Sequence, residues 1–171
     1  MKVRLLFLAT LTFVASLAWA APSPSDAQVA FARLKSLAGE WESTTARGGK
    51  FHAHYEVISG GSAVLERFEG DEMGPGNVMV TVYYLDGGRL LLQHYCMAHN
   101  QPRMQAQSFD NANGELQFTF LDATGLSSPE AGHMHNATFR FVDADHLSED
   151  WQFFEGGKPK LTESVQYTRS R

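Results

Sequence analysis

The stretch "SDAQVAFARLKSLAGEW", residues 25–41, is where the chain changes its period. Ser25 followed three positions on by Gln28 is a helix capping box. Ala27, Ala30, Phe31, Leu34 and Leu37 then recur at helical spacing, and Gly39 stops the run. The spacing predicts one short amphipathic helix of about 13 residues. After Gly39 the period becomes two. About ten strand-like segments follow, near 40–46, 50–58, 62–69, 77–85, 89–98, 103–109, 114–122, 133–142, 146–155 and 160–168. Glycine pairs at 48–49, 60–61, 87–88 and 156–157, and "NANG" at 111–114, supply turns between them.

The alternation shows which side of each strand is apolar. Leu116, Phe118 and Phe120 oppose Gln117 and Thr119; Phe139 and Phe141 oppose Thr138 and Arg140; Val165 and Tyr167 oppose Ser164 and Gln166. Short strands in hairpin succession, with no helix between them, make an antiparallel meander. The expected fold class is all-β: an antiparallel up-and-down barrel of about ten strands, with the short N-terminal helix closing the base. Closure into a barrel leaves no exposed edge. A two-sheet sandwich is the competing architecture.

The start of the chain reads as a leader. Lys2 and Arg4 precede an apolar run from Leu5 to Leu17, and Ala18, Trp19 and Ala20 form a small-x-small cleavage site. Residues 1–20 are expected to be a signal peptide, 21–25 a Pro/Ser leader, and 26–171 a single barrel domain. The expected location is across the inner membrane, in the periplasm. The apolar run is too short for a transmembrane span, and the polar outer faces of the strands oppose an outer-membrane barrel. The chain carries 14 basic against 19 acidic side chains. Loss of Lys2 and Arg4 would make the balance more acidic still. No basic block or stripe is present, so nucleic acid is a poor partner. Cys96 is the only cysteine; it cannot pair within its own chain and leaves the oligomeric state open.

"LAGEW" (Leu37 to Trp41) places G-x-W at the start of the first strand, and "YTR" (Tyr167 to Arg169) ends the last. This resembles the calycin superfamily of lipocalins, fatty-acid-binding proteins and related small barrels. The wider pattern, including "HYCMAHNQPRM" (94–104) and "AGHMHNATFRFVDADHLSEDW" (131–151), resembles an exported bacterial lipocalin-like family of unknown function over most of residues 30–169. The resemblance implies that Trp41 lies under Arg169 at a closed base, a cation–π contact worth about 0.5–2 kcal/mol. Ten alternating strands return Arg169 to the end where Trp41 starts, so the pairing is consistent with the strand count.

The same counting puts five turns at the opposite, open end: 46–50, 70–77, 98–103, 122–133 and 155–160. His94, Cys96, Arg103, His133 and His135 are therefore expected near one rim, where a rigid scaffold commonly carries its site. By parity, His94 and Cys96 share the face of Leu90 and Leu92. Glu149 goes with Trp151 and Phe153, and Glu163 with Val165 and Tyr167. His133 and His135 share the inner face of Phe139 and Phe141 if their strand has no bulge.

Several chemistries compete for these residues. The H-x-H pairs His52/His54 and His133/His135 have a spacing that some zinc sites use. His52 and His54 oppose Phe51, Tyr55 and Val57 and should face solvent. A zinc or iron site would draw on His133, His135 and His94, but neither pair has the glutamate spacing of a cupin. His94 beside Cys96 could make a thiolate nucleophile, yet no oxyanion-hole motif accompanies it and an inert lumen-facing thiol accounts for it. Some calycin-like barrels hold haem through a histidine near the last strand; here that strand has none, and His146 starts the strand before it. Arg103 could clamp a ligand carboxylate or cap a solvated turn. The reading that absorbs most of these residues is binding of a small apolar or amphipathic ligand, with His94, Cys96, Arg103, His133, His135, Glu149 and Glu163 as the candidate lining, no catalytic residue and no cofactor. The alternative is an enzyme using a His/Glu cluster, with or without metal, at the mouth. A third class is an envelope protein acting through partner contacts.

Overall fold

Ser25 opens α1 (Asp26–Lys35) with the expected reciprocal bonds: its side chain accepts from the Gln28 amide, and Gln28 accepts from the Ser25 amide at 2.8 Å. The structure, a computed structural model, describes residues 25–45 and 48–170. The expected signal peptide, and all of the leader except Ser25, lie outside the described residues. The helix is shorter than its spacing suggests. It ends at Lys35, with Ser36 as C-cap, because the carbonyls beyond are taken by other groups. Arg169 donates to Ser36 at 2.9 Å and to Ala38 at 2.8 Å, and the Trp41 indole donates to Leu37 at 2.7 Å. Among the described residues no helix is long and apolar enough to cross a membrane.

Ten strands follow: β1 (Gly39–Thr44), β2 (Lys50–Ile58), β3 (Ala63–Gly70), β4 (Val78–Asp86), β5 (Arg89–Tyr95), β6 (Gln101–Asp110), β7 (Glu115–Thr124), β8 (His133–Phe141), β9 (His146–Glu155) and β10 (Lys158–Arg169). Each pairs antiparallel with its sequence neighbours, and β1 pairs with β10 to close the barrel. A sandwich is thereby ruled out. The seam is short. Only Trp41 with Arg169 and Glu42 with Thr168 are in register.

At the base, the Arg169 guanidinium lies 4.2 Å from the centre of the Trp41 ring. Gly39 sits at φ +124°, and a Cβ there would come within 3.2 Å of that guanidinium, so the glycine of G-x-W serves both backbone and packing. Phe31, Leu34 and Leu37 from the helix region join Trp41, Leu147 and Phe141 in one buried cluster. Above this plug Tyr55, Tyr83, Leu92, Met104, Phe118 and Phe139 fill the lumen, with Tyr83, Phe118 and Phe139 in edge or tilted ring contacts. The lower half of the barrel is therefore a packed core.

Register shifts interrupt three ladders: β6–β7, β8–β9 and β9–β10. The shift in β8 falls between Met134 and Asn136, leaving His135 as an extra residue. It decides what faces the lumen near the mouth.

Replacing Arg169 with Ala should lower unfolding free energy by about 2–4 kcal/mol, as the charged hydrogen bonds and the cation–π contact are lost together. Arg169→Lys should fall between the variant and the native protein, since an ammonium keeps the charge but cannot fork across two carbonyls. Urea unfolding midpoints, with unchanged slope, measure both.

Candidate functional site

Inward-facing positions above the packed core change character. On β3 the inner residues are Val64, Glu66 and Phe68; on β4 they are Met79, Thr81 and Tyr83; on β9, Glu149 and Trp151. Together they form a polar layer across the lumen. Glu66 and Glu149 are almost fully buried, at 3% and 1% exposure. Each carboxyl is met by donors from below and beside it. Tyr83 donates to Glu66 at 2.5 Å; Tyr55 donates to Glu149; the Trp151 indole donates to Glu149 at 3.0 Å.

Burial raises the pKa of Glu66 to about 6, partly offset by bonds from Tyr83, Thr81 and Tyr55. Burial raises Glu149 well above its ordinary value, and the charge of Glu66 raises it further. Two carboxyls so placed oppose each other's ionisation. Burial also lifts the phenols of Tyr55 and Tyr83, which stay protonated donors.

His94 completes the layer. Its Nδ1 lies 3.0 Å from the Thr81 hydroxyl, and its ring lies against Trp151, tilted by 35° with centroids 5.0 Å apart. Burial lowers its pKa to about 4, so the imidazole is neutral at neutral pH. Its Nε2 is buried and meets no hydrogen-bond partner among the described residues. An orphaned buried nitrogen is costly in a finished core, and here it lines a cavity.

That cavity has two parts. An inner chamber of about 30 Å³ sits on the polar layer, bounded by Glu66, Thr81, His94, Glu149 and Trp151. Above it an outer vestibule of about 560 Å³ opens at the mouth. Phe68, Met79, Met134, Glu163 and Val165 line both and so form the passage between them. Cys96 lines the vestibule only, and burial raises its thiol pKa. Among the described residues no hydrogen bond joins it to His94, so nothing here makes it a thiolate.

Of the residues expected at the site, His94, Glu149, Glu163 and Cys96 line this cavity, and His133, His135 and Arg103 do not. The bulge at His135 reverses the parity of the strand's start: Met134 pairs with the inward Phe153 and lines the cavity, while His133 pairs with Phe154 on the other face. His135 stacks instead on Phe120 and on Phe154, the latter at 4.0 Å, and His133 meets Phe120 at a tilt. Their rings meet each other through Nε2 and Nδ1 at 3.0 Å. His94 is held elsewhere by Thr81 and Trp151, so the three-histidine metal set is not assembled; among the described residues no group of three or more His, Cys, Asp or Glu side chains is placed to hold a metal ion. Arg103 pairs across the ladder with Gln93 and Asp122 and forms a two-point ion pair with the Asp122 carboxylate, one arm at 3.0 Å. It does not reach the cavity. His52 and His54 are partly exposed beside Glu42 and Glu40.

Glu66 and Thr81 were not marked by the sequence. "AVLERFEG" (63–70) and "VMVTVYYLD" (78–86) have apolar residues at both parities, so period two does not choose a face. The register against β2, which sets Glu66 opposite Tyr55, does choose it.

The fold and cavity define a closed ten-stranded antiparallel barrel with a plugged base and an open, partly polar lumen. Among solved structures it is similar to a crystal structure of a protein of unknown function from the DUF3598 family of Nostoc punctiforme, with a TM-score of 0.52 and 9% sequence identity. The match covers 80% of this chain and 49% of that one, so the chain spans about half its length. At that identity the likeness is one of fold. No family model matches the sequence, and no curated protein does.

The titrations give opposite slopes of stability with pH. His94 protonates at 6.5 ordinarily and at about 4 when folded, so protons favour the unfolded chain and stability drops as pH falls from 6.5 to 4. Glu66, with an ordinary value of 4.5 and a folded one of about 6, contributes in acid and loses that contribution as pH rises through 6. Removing the imidazole with His94→Gln should remove the first slope: relative to the native protein, the variant should gain about 3 kcal/mol between pH 7 and pH 4. Urea unfolding at the two pH values measures this; a difference that does not change with pH would contradict the buried, neutral imidazole.

Proposed function

We propose that this protein is an exported, lipocalin-like (calycin) barrel that binds a small apolar or amphipathic molecule in the upper half of its lumen. The vestibule carries the reading. Its volume of about 560 Å³ lies in the range of roughly 300–1,000 Å³ common for small-molecule sites. Phe51, Phe68, Met79, Phe153 and Leu161 give it a largely apolar wall. An unfilled apolar space forgoes packing that side chains would supply. A ligand's apolar part would recover it by burial, at roughly 25 cal/mol per Å². The sealed base, with Arg169 over Trp41, supports the calycin assignment and leaves the mouth as the route in. The basic start and apolar run of residues 1–20 support export.

The enzyme reading has less support. Of its histidines and glutamates, His94 and Glu149 share the chamber, while His133 and His135 stand on the other face of β8. No cofactor is part of the proposal.

N-phenyl-1-naphthylamine, a neutral probe that brightens in apolar surroundings, should bind the full chain saturably at one site. Native mass spectrometry of untagged protein should lose a small-molecule adduct on organic extraction. Met134→Trp, which places an indole in the passage, should weaken the probe by about tenfold or more while leaving the far-ultraviolet circular dichroism unchanged. No fluorescence gain and no extractable mass would remove the proposal.

A further inference from the structure

The inner chamber and vestibule together specify the polar end of the ligand. Among the described residues that line either space there is no lysine or arginine. There are four glutamates: Glu66 and Glu149 in the chamber, Glu163 in the passage and Glu72 in the outer wall. Of the described cations in or beside the mouth turns, Lys50, Arg103, Lys158 and Lys160 line neither space; Arg103 is paired with Asp122 and Lys160 with Glu155. A carboxylate or phosphate head would thus enter a site with no countercharge and with carboxyls below it, a costly burial.

His94 points the same way. The Thr81 hydroxyl lies 3.0 Å from Nδ1 of His94 and also helps to hold down the pKa of Glu66. With Glu66 ionised, the single Thr81 proton is spent on the carboxylate, so the Thr81 oxygen accepts from Nδ1–H of His94. The free Nε2 is then a buried acceptor facing the chamber. It calls for a donor. The chamber's volume of about 30 Å³ matches one group about the size of a water molecule.

We propose that the bound molecule is an amphipathic primary amine: its ammonium sits in the inner chamber among Glu66, Glu149 and Nε2 of His94, and its apolar tail fills the vestibule. An ammonium has three donors and no acceptor, and Glu66, Glu149 and Nε2 of His94 are three of the acceptors that line this chamber. Its charge stabilises an ionised carboxyl in a place where burial otherwise disfavours one. The inference rests on the small-molecule reading of the cavity and adds the head-group class.

The test compares three ten-carbon ligands on the full chain at pH 7, below their micelle concentrations: decylamine, decanol and decanoate. Displacement of N-phenyl-1-naphthylamine and isothermal titration read the affinities. Decylamine should bind about tenfold or more tighter than decanol, and decanoate should be the weakest. Glu66→Gln and Glu149→Gln, which keep shape and one acceptor, should each reduce decylamine affinity about tenfold while changing decanol by no more than about threefold. Equal or tighter binding of decanol or decanoate in the native protein overturns the head-group assignment while leaving the cavity reading intact. If the probe and all three ligands fail to bind, both fall. The native-protein comparison decides the matter even if a glutamine variant does not fold.

Discussion

The ladder between β1 and β10 is two residue pairs long, the shortest around the barrel, with the three-pair β5–β6 ladder next. A closed barrel with so short a seam depends on what else crosses it. Arg169 does most of that work. Its guanidinium covers Trp41 and reaches carbonyls of the helix end and of Ala144, at 3.0 Å, in the β8–β9 turn. One side chain thus joins the first strand, the last strand, the helix terminus and a base turn. The fork geometry of guanidinium suits this, because several carbonyls can be met from one plane. The helix then stays short and lies as a plug, and everything above it is built on a sealed floor.

With the floor sealed, the lumen divides into layers of different character. The lower aromatic and aliphatic layer is a core like any other. The middle layer holds carboxyls, phenols, an indole and an imidazole, tied together by the Tyr83–Glu66, Tyr55–Glu149, Trp151–Glu149 and Thr81–His94 hydrogen bonds. Burying carboxyls costs folding energy unless donors surround them, and here Tyr55, Tyr83, Trp151 and Thr81 do so. The uppermost layer is apolar and open. The packed core and the open cavity are therefore separated by height along the barrel axis.

Much of this order was legible in the residues. Glycine turns and clean alternation marked ten strands and their order, and G-x-W with the terminal Arg marked the base. Half of the site was legible too, because Leu90, Leu92 and His94 keep one parity, as do Glu149 and Trp151. The failures have separate causes. Period-two reasoning holds only while the ladder is regular, and an extra residue at His135 turns His133 outward and brings in Met134, which looked unremarkable. Glu66 was hidden by the apolar residues on both faces of β3. Arg103 sits on the outer face of β6 with a carboxylate partner from β7, and that partnership depends on inter-strand register, which no local pattern encodes.

Hydrogen bonds at the mouth join its turns into two groups. Asn100 donates to the Gly132 carbonyl at 2.8 Å, Thr124 to Gln101 at 2.8 Å, and the Gly156 amide to Glu130 at 2.9 Å. These tie the β5–β6, β7–β8 and β9–β10 turns together. On the other side Thr45 donates to Glu72 at 3.2 Å and the Lys50 amide to Asp71 at 2.9 Å, joining the β1–β2 and β3–β4 turns. The rim is thus two lips rather than five separate fingers. Displacing any one turn strains the bonds of its whole lip, so the width of the entrance is governed by how the two lips sit against each other across the vestibule.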